Sequence, residues 1–98
     1  MRIIAYIVIP PILYILRSLK DKRYYVGYCS DLQTRLKYHN EGHVPSTKNR
    51  RPLVIIYFEQ RRSKIEAIRR EKEIKSYKGG NAFKKLLMSE KTEYSSDG

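Results

Sequence analysis

The strongest constraint on the fold is an uncharged stretch from Ile3 to Leu16, which is interrupted by Pro10 and Pro11. As a helix, this stretch would span about 21 Å, short of the roughly 30 Å hydrocarbon core of a membrane. The prolines would also break such a helix, and a basic residue, Arg17, follows where a secretory signal needs a small-residue cleavage site. We therefore expect no membrane role, and we expect the stretch to divide at the prolines.

Three apolar runs predict strands. Residues 12–19 are rich in β-branched, aromatic and aliphatic side chains, which suits a buried strand. A short polar turn separates them from residues 23–28, so we expect these two strands to form a hairpin. Residues 53–59 contain no helix or strand breaker and predict the third strand.

Cap patterns predict the helices. Ser30 begins an S-x-x-Q pattern, so a helix should start at Asp31 and stop near Gly42. Ser63 begins an S-x-x-E pattern for a second helix that should run to the glycine pair at 79–80, and Asn81 can cap a last short helix. The order β-β-α-β-α-α predicts an α+β domain whose small three-stranded sheet, mixed or antiparallel, is flanked by helices.

The chain of 98 residues is the size of one domain. We expect an apolar extension over 1–11, which is an edge strand or a loosely attached arm, then a single domain over 12–88 and a flexible tail over 89–98. The lone cysteine, Cys29, excludes an internal disulfide and a four-cysteine zinc site, and it is typical of a cytoplasmic protein.

The charge of the chain points to a polyanionic partner. The formal net charge is +11, while 41% hydrophobic content is enough for a folded core. The chain also has nine tyrosines and no tryptophan, and tyrosines on a basic surface suit stacking against bases. Nucleic acid is a better partner than an anionic membrane, because the basic residues are spread through a patterned domain rather than along one amphipathic helix.

One acidic residue is out of place on the second predicted helix. Ala67, Glu71 and Ile74 stand at i, i+4 and i+7, so the carboxylate lies in the stripe that should face the sheet. Burying a carboxylate is costly unless a cation or hydrogen-bond donors meet it. A structural ion pair and a metal-ligand or acid/base role both account for Glu71. By contrast, Glu66 has a complete explanation as the acid of the capping box.

The first helix has the same peculiarity. Arg35 and His39 share its apolar stripe with Leu32 and Leu36. Arg35 can lie along the edge of the core with its charge in solvent, and His39 can be a neutral histidine near the helix end. Either residue alone is weak evidence of a site.

Five ordered segments over residues 12–80 resemble the GIY-YIG nuclease superfamily. The similarity is greatest to its small stand-alone members, which are related to the nuclease domain of the bacterial excinuclease. The segments are Leu13-Tyr14-Ile15-Leu16, Tyr25-Val26-Gly27, Asp31-Leu32-Gln33-Thr34-Arg35-Leu36, Ser46-Thr47-Lys48-Asn49-Arg50-Arg51-Pro52 and Glu66-Ala67-Ile68-Arg69-Arg70-Glu71.

The resemblance implies a role for each residue that matches the family pattern. Tyr14 matches a tyrosine proposed as general base for the attacking water, and Tyr25 matches the tyrosine of the second half of the name motif. Arg35 matches the arginine that holds the scissile phosphate. His39 matches a family position that lies near the nucleophile. Glu71 matches the glutamate that binds a single divalent metal, Mg²⁺ or Mn²⁺. Residues expected to contact nucleic acid are Gly27, Lys48, Asn49, Arg50 and Arg51.

These roles suit phosphodiester hydrolysis, which builds negative charge on the phosphate and leaving oxygens. A hard cation on a carboxylate and a guanidinium can offset that charge. A tyrosine with an ordinary pKa near 10 is a poor base, so we expect the metal, Arg35 or hydrogen bonds to lower the pKa of Tyr14.

We therefore expect a divalent-metal-dependent endonuclease that acts on DNA, with branched or damaged DNA in repair or recombination as the substrate to test first. No small-molecule cofactor is expected. The alternative is a nucleic-acid-binding module of the same fold that cuts little or nothing. A third hypothesis places residues 3–9 in a membrane or in the groove of a partner.

Overall fold

The computed structural model describes residues 9–96, with side chains up to residue 88, so the edge strand or arm expected over residues 1–8 lies outside the described residues. No helix in the described range is long and apolar enough to cross a membrane. The elements are β1 (Ile12–Ser18), β2 (Tyr24–Cys29), α1 (Leu32–Asn40), α2 (Pro45–Lys48), β3 (Leu53–Gln60), α3 (Lys64–Ser76) and α4 (Asn81–Ser96).

The three strands form one antiparallel sheet in the order β2-β1-β3, so the α+β prediction is confirmed and the sheet is not mixed. The central strand, β1, pairs on both sides. Its register places Tyr14 opposite Gly27 of β2 and Phe58 of β3. This register decides which side chains reach Tyr14 from the neighbouring strands.

Alternating side chains of β1 form two hydrophobic cores on opposite faces of the sheet. Leu13 and Ile15 pack with Ile74 of α3 and Phe83 of α4, and we call this the α3–α4 face. Tyr14 and Leu16 pack on the other side, where Leu32 and Leu36 of α1 cover them, and we call this the α1 face. The face with Tyr14 therefore also carries the helix with the unusual arginine and histidine.

Two local predictions need correction. Helix α1 begins at Leu32, one residue later than expected, because Asp31 is the N-cap and its side chain accepts a hydrogen bond from the Thr34 N–H at 3.2 Å. Residues 43–52 are polar and basic, a composition that predicts a loop, but they contain the short helix α2. Pro45 stands at the first helical position, where the missing N–H of proline costs nothing.

Helix α4 runs to Ser96, whereas the sequence predicts a frayed tail over 89–98. Neither glycine nor proline occurs between Asn81 and Ser96, and the segment is rich in leucine, lysine and glutamate, which favour helix. The backbone of residues 89–96 is therefore helical. How firmly this end is held stays a prediction.

Candidate active site

Three buried side chains on the α1 face form a continuous chain of hydrogen bonds. The Tyr14 hydroxyl lies 2.9 Å from Nε2 of His39, and Nδ1 of His39 lies 2.8 Å from Oγ1 of Thr47. All three side chains are at most 2% exposed. The chain joins the central strand to the last turn of α1, 25 residues away in the sequence, and then to the short helix α2, eight residues further on.

The hydrogen bonds assign the proton positions in this chain. Oγ1 of Thr47 also lies 3.4 Å from the Val44 carbonyl, to which its hydroxyl donates. Oγ1 therefore accepts from Nδ1–H of His39, which leaves Nε2 free to accept from the Tyr14 hydroxyl. Burial, together with the positive charge of Arg35, lowers the pKa of His39 to about 4. At neutral pH, His39 is thus a neutral imidazole whose free lone pair faces Tyr14.

The expectation that the pKa of Tyr14 is lowered is wrong for the protein without substrate. Burial, which disfavours the phenolate, raises this pKa, and the neighbouring Tyr25 raises it further. Arg35 does act in the expected direction, but its effect is smaller than that of burial. Tyr14 is therefore a neutral phenol that donates its proton to His39, so it can take a proton from water only by passing its own proton on.

Gly27 is explained by the space that Tyr14 needs. A Cβ atom at Gly27 would lie 2.8 Å from the Tyr14 hydroxyl oxygen, closer than real Cβ contacts come. The ring of Tyr25, two residues before Gly27, packs edge-on against the His39 ring at 4.9 Å between centroids. Strand β2 therefore leaves room for the Tyr14 ring at Gly27 and packs its own Tyr25 against the imidazole of His39. The nucleic-acid contact expected at Gly27 stays a prediction.

Arg35 lies one turn before His39 on α1, beside a cavity of about 240 Å³ that is also lined by Tyr38 and Thr34. Its guanidinium carbon is 5.6 Å from the centre of the Tyr38 ring. Among residues 9–88, no carboxylate forms an ion pair with this guanidinium. An open, unpaired arginine of this kind suits a phosphate.

Glu71 occupies the predicted place between the buried residues Ala67 and Ile74, and its side chain is 20% exposed. The negative charge of Glu71 raises the pKa of Tyr14, so the carboxylate and the phenol interact electrically. Its ion-pair partner is Lys75, four residues on, whose Nζ lies 2.5 Å from Oε2 and whose side chain is 55% exposed. Of the two explanations, the structure contains the ion pair, and the i, i+4 spacing could have indicated it.

The four consecutive residues 48–51, which are expected to contact nucleic acid, lie in two different environments. Lys48, Asn49 and Arg51 line an open cleft. Arg50 instead has its side chain against the β1–β2 turn, where it donates to Asp21 and to the Tyr24 carbonyl, each at 3.2 Å. The DNA contact expected of Arg50 stays a prediction, and its contacts in the structure are structural ones.

Four predicted residues therefore lie together on the α1 face: Tyr14, Tyr25, Arg35 and His39. The fifth, Glu71, lies on α3, and its link to them is the effect of its charge on Tyr14. Sequence analysis missed a sixth, Thr47, which gives His39 its tautomer. Thr47 lies in a polar basic stretch where nothing in the sequence distinguishes it from Ser46 beside it. Only the position of α2 against the end of α1 identifies it.

Several known proteins are similar to this chain in sequence. The sequence profile of the GIY-YIG catalytic domain matches residues 10–87, which contain all six site residues. A UPF0213 protein of Staphylococcus haemolyticus is 46% identical over 59 residues, 59% of this chain and 72% of that protein. A UPF0213 protein of Staphylococcus aureus is 43% identical over 58 residues, 58% of this chain and 71% of that protein. The solution NMR structure of a UPF0213 protein from Bacillus halodurans has 34% identity and a TM-score of 0.46, covering 81% of this chain and 82% of that one.

Proposed function

The chain belongs to the GIY-YIG catalytic-domain family, and from this we propose that it is an endonuclease that hydrolyses DNA phosphodiester bonds with the help of a divalent metal ion. Branched or damaged DNA in repair or recombination is the substrate that we propose. The observation that carries the proposal is the Tyr14–His39–Thr47 chain, whose middle member is a neutral imidazole with a nitrogen that can accept the proton of Tyr14.

The chain provides a path for the proton of the attacking water. As the water oxygen bonds to phosphorus, its proton passes to the Tyr14 oxygen, and the Tyr14 proton passes to Nε2 of His39. The bond from phosphorus to the leaving oxygen breaks, and that oxygen takes a proton from solvent. Because the pKa of His39 is only about 4, the buried imidazolium gives its proton back to the Tyr14 oxygen, which releases a proton to solvent at the site, and the neutral form is restored.

Arg35 holds the phosphate during this step. Its guanidinium can donate two parallel hydrogen bonds to phosphate oxygens, and it makes no competing ion pair among residues 9–88. The negative charge that develops on those oxygens strengthens these hydrogen bonds in the transition state. The same charge favours a protonated His39, which offsets the weak basicity of this histidine in the free protein.

The donor set fits a metal held largely by the substrate. Among the described residues, no group of three or more His, Cys, Asp or Glu side chains could hold an ion. Mg²⁺ is commonly bound by one or two carboxylates together with waters and substrate phosphates, and Glu71 offers one such carboxylate. When bound, the ion would stabilise negative charge on the phosphate and leaving oxygens. Glu71 can hold it only after the exposed ammonium of Lys75 moves away.

The test is cleavage of a labelled branched DNA and of the matching linear duplex in Mg²⁺. We expect Glu71→Gln and Arg35→Gln each to lower the cleavage rate about 10²-fold, as removal of one charge-stabilising group does. The matched control is Glu66→Gln, which makes the same charge change on the same helix at the capping box and should cut like wild type. Equal cutting by all four proteins would mean a contaminating nuclease and would refute the proposal.

One observation favours the second candidate, a DNA-binding module that does not cut. The Lys75 ammonium lies against the carboxylate oxygen that a metal would bind, so the negative charge of Glu71 is already balanced by a side chain of the protein. This candidate predicts salt-sensitive binding that is equal with and without EDTA, and no cleavage in Mg²⁺ or Mn²⁺. The same cleavage series therefore separates the two.

A further inference from the structure

A second polar cavity lies where the end of α1, α2 and the start of β3 meet. It measures about 380 Å³ and is open to solvent. We call it the basic cleft, and its lining residues are Lys20, Asn40, Lys48, Asn49, Arg51 and Pro52.

The basic cleft has three cationic side chains and no acidic one in its lining. The two acidic residues on neighbouring segments are already paired. Asp21 forms an ion pair with Arg50, and Glu41 lies within 4.0 Å of both Lys37 and His43. The three positive charges of the cleft are therefore left without a carboxylate, which suits an anion from outside the protein.

The walls of the cleft are held in place by hydrogen bonds to the backbone. Lys20 donates to the Asn49 carbonyl at 3.1 Å, and Nε of Arg51 donates to the Lys48 carbonyl at 2.7 Å. The side-chain amide of Asn40 pairs with the backbone of Leu53. It donates to the Leu53 carbonyl at 3.0 Å and accepts from the Leu53 N–H at 2.8 Å. Because these groups are fixed before any ligand arrives, little ordering entropy opposes binding.

The cleft is also directly joined to the proton path. Asn40 follows His39 in the chain, and Lys48 follows Thr47, so two of its walls continue from residues of the candidate active site. Arg35 lies on the same helix as Asn40, five residues earlier.

We propose that the basic cleft binds a second backbone phosphate of the strand that is cut, a fixed number of nucleotides from the phosphate held by Arg35. The proposal rests on the proposed function, because the site of cutting defines the neighbouring phosphate. A phosphodiester is favoured because the lining offers cations and amides and because a strand lying at Arg35 continues beyond the active site. Lys48 and Lys20 would contact the phosphate, while Arg51 shapes the wall.

The experiment measures binding separately from cutting. A fluorescein-labelled branched DNA is titrated in EDTA at several salt concentrations against wild type, Lys48→Gln and Lys20→Gln. Loss of one phosphate contact should weaken binding about eightfold at about 0.1 M salt and reduce the slope of log affinity against log salt by about 0.9. The matched control is Lys84→Gln on α4, which removes the same charge from the opposite face of the sheet and should bind within about twofold of wild type.

A second measurement tests the position of the phosphate. Single methylphosphonate linkages, which are uncharged, are placed in turn along the strand that is cut. One linkage, at a single position away from the cut, should weaken wild-type binding, but it should cause no further loss with Lys48→Gln, because the contact is already absent.

The outcomes separate this proposal from the proposed function. If Lys48→Gln and Lys20→Gln bind like Lys84→Gln, the cleft proposal is overturned even where wild type cuts DNA. Equal sensitivity to every neutral linkage would overturn it as well. Wild-type protein that binds through the cleft but never cuts would instead refute the nuclease and leave the phosphate contact supported.

Discussion

Replacing Thr47 by valine tests the proton path at the residue farthest from the phosphate. Valine has nearly the shape of threonine but lacks Oγ1, which accepts from Nδ1 of His39 at 2.8 Å. Thr47 and His39 are both fully buried, so water cannot replace the lost acceptor. Leaving a buried donor unpaired costs about 1–3 kcal/mol. For a domain of this size, a loss of about 2 kcal/mol lowers the melting temperature by about 8–16 °C.

The same change affects the tautomer of His39. If the imidazole moves its proton to Nε2 to avoid an unpaired Nδ1–H, that nitrogen no longer accepts from Tyr14. The phenol then has no place to send its proton, and the path from water is interrupted. We expect the cleavage rate to fall about 10²-fold, the lower end of the contribution of a general base.

The assay is single-turnover cleavage of labelled DNA at a temperature below the melting transition of every variant, with folding checked by circular dichroism. Thr47→Ser is the matched control, because it keeps the hydroxyl and loses only a methyl group. It should cut within a few-fold of wild type. A Thr47→Val protein that cuts at the wild-type rate, or a Thr47→Ser protein as slow as Thr47→Val, would refute the reasoning.

Two further predictions concern pH and metal. The pKa of His39 is about 4 in the folded protein against 6.5 for an unperturbed histidine. As the pH falls, the unfolded chain therefore takes up a proton at this histidine before the folded protein does. The free energy of unfolding should decrease by about 3 kcal/mol as the pH drops from about 6.5 to 4. Urea unfolding across this range should show the loss in wild type and a flatter profile in His39→Gln, and parallel profiles would contradict the assignment. Lys75→Gln removes a competing cation from Glu71, so it should lower the Mn²⁺ concentration that half-saturates the protein about twofold or more. Mn²⁺ binding is measured by electron paramagnetic resonance. Lys72→Gln on the same helix is the control, and equal midpoints for the two variants would exclude Glu71 as the ligand.

The strands and the cap of α3 were predictable because their signals are local. Apolar runs located the strands to within a residue or two, and the cap at Ser63 is as expected, with its side chain accepting from the Glu66 N–H. The stripe on α3 also placed Glu71 between Ala67 and Ile74 correctly, since helical periodicity depends only on spacing. The family motifs then brought the remaining site residues together in one hypothesis.

Contacts between distant segments could not be predicted in this way. A half-buried ion pair joins Glu59 of β3 to Arg70 of α3, with 2.8 Å between the carboxylate and Nε, and nothing in either segment indicated it. Likewise, the sequence contains no sign that α2 places Thr47 against His39. Such pairs depend on how helices pack on the sheet, which is a property of the whole core.

The sequence by itself determined the order of the three strands and of the three longer helices and the α+β class, because these follow from spacing along the chain, while the family motifs led to the five candidate site residues. Only the tertiary structure decided the protonation of Tyr14 and His39, the place of Thr47 beside His39 and the separation of Arg50 from the basic cleft. The physical reason is that pKa values and ion pairs depend on burial and on distances across space. Neither quantity exists until α1, α2 and the sheet have packed together.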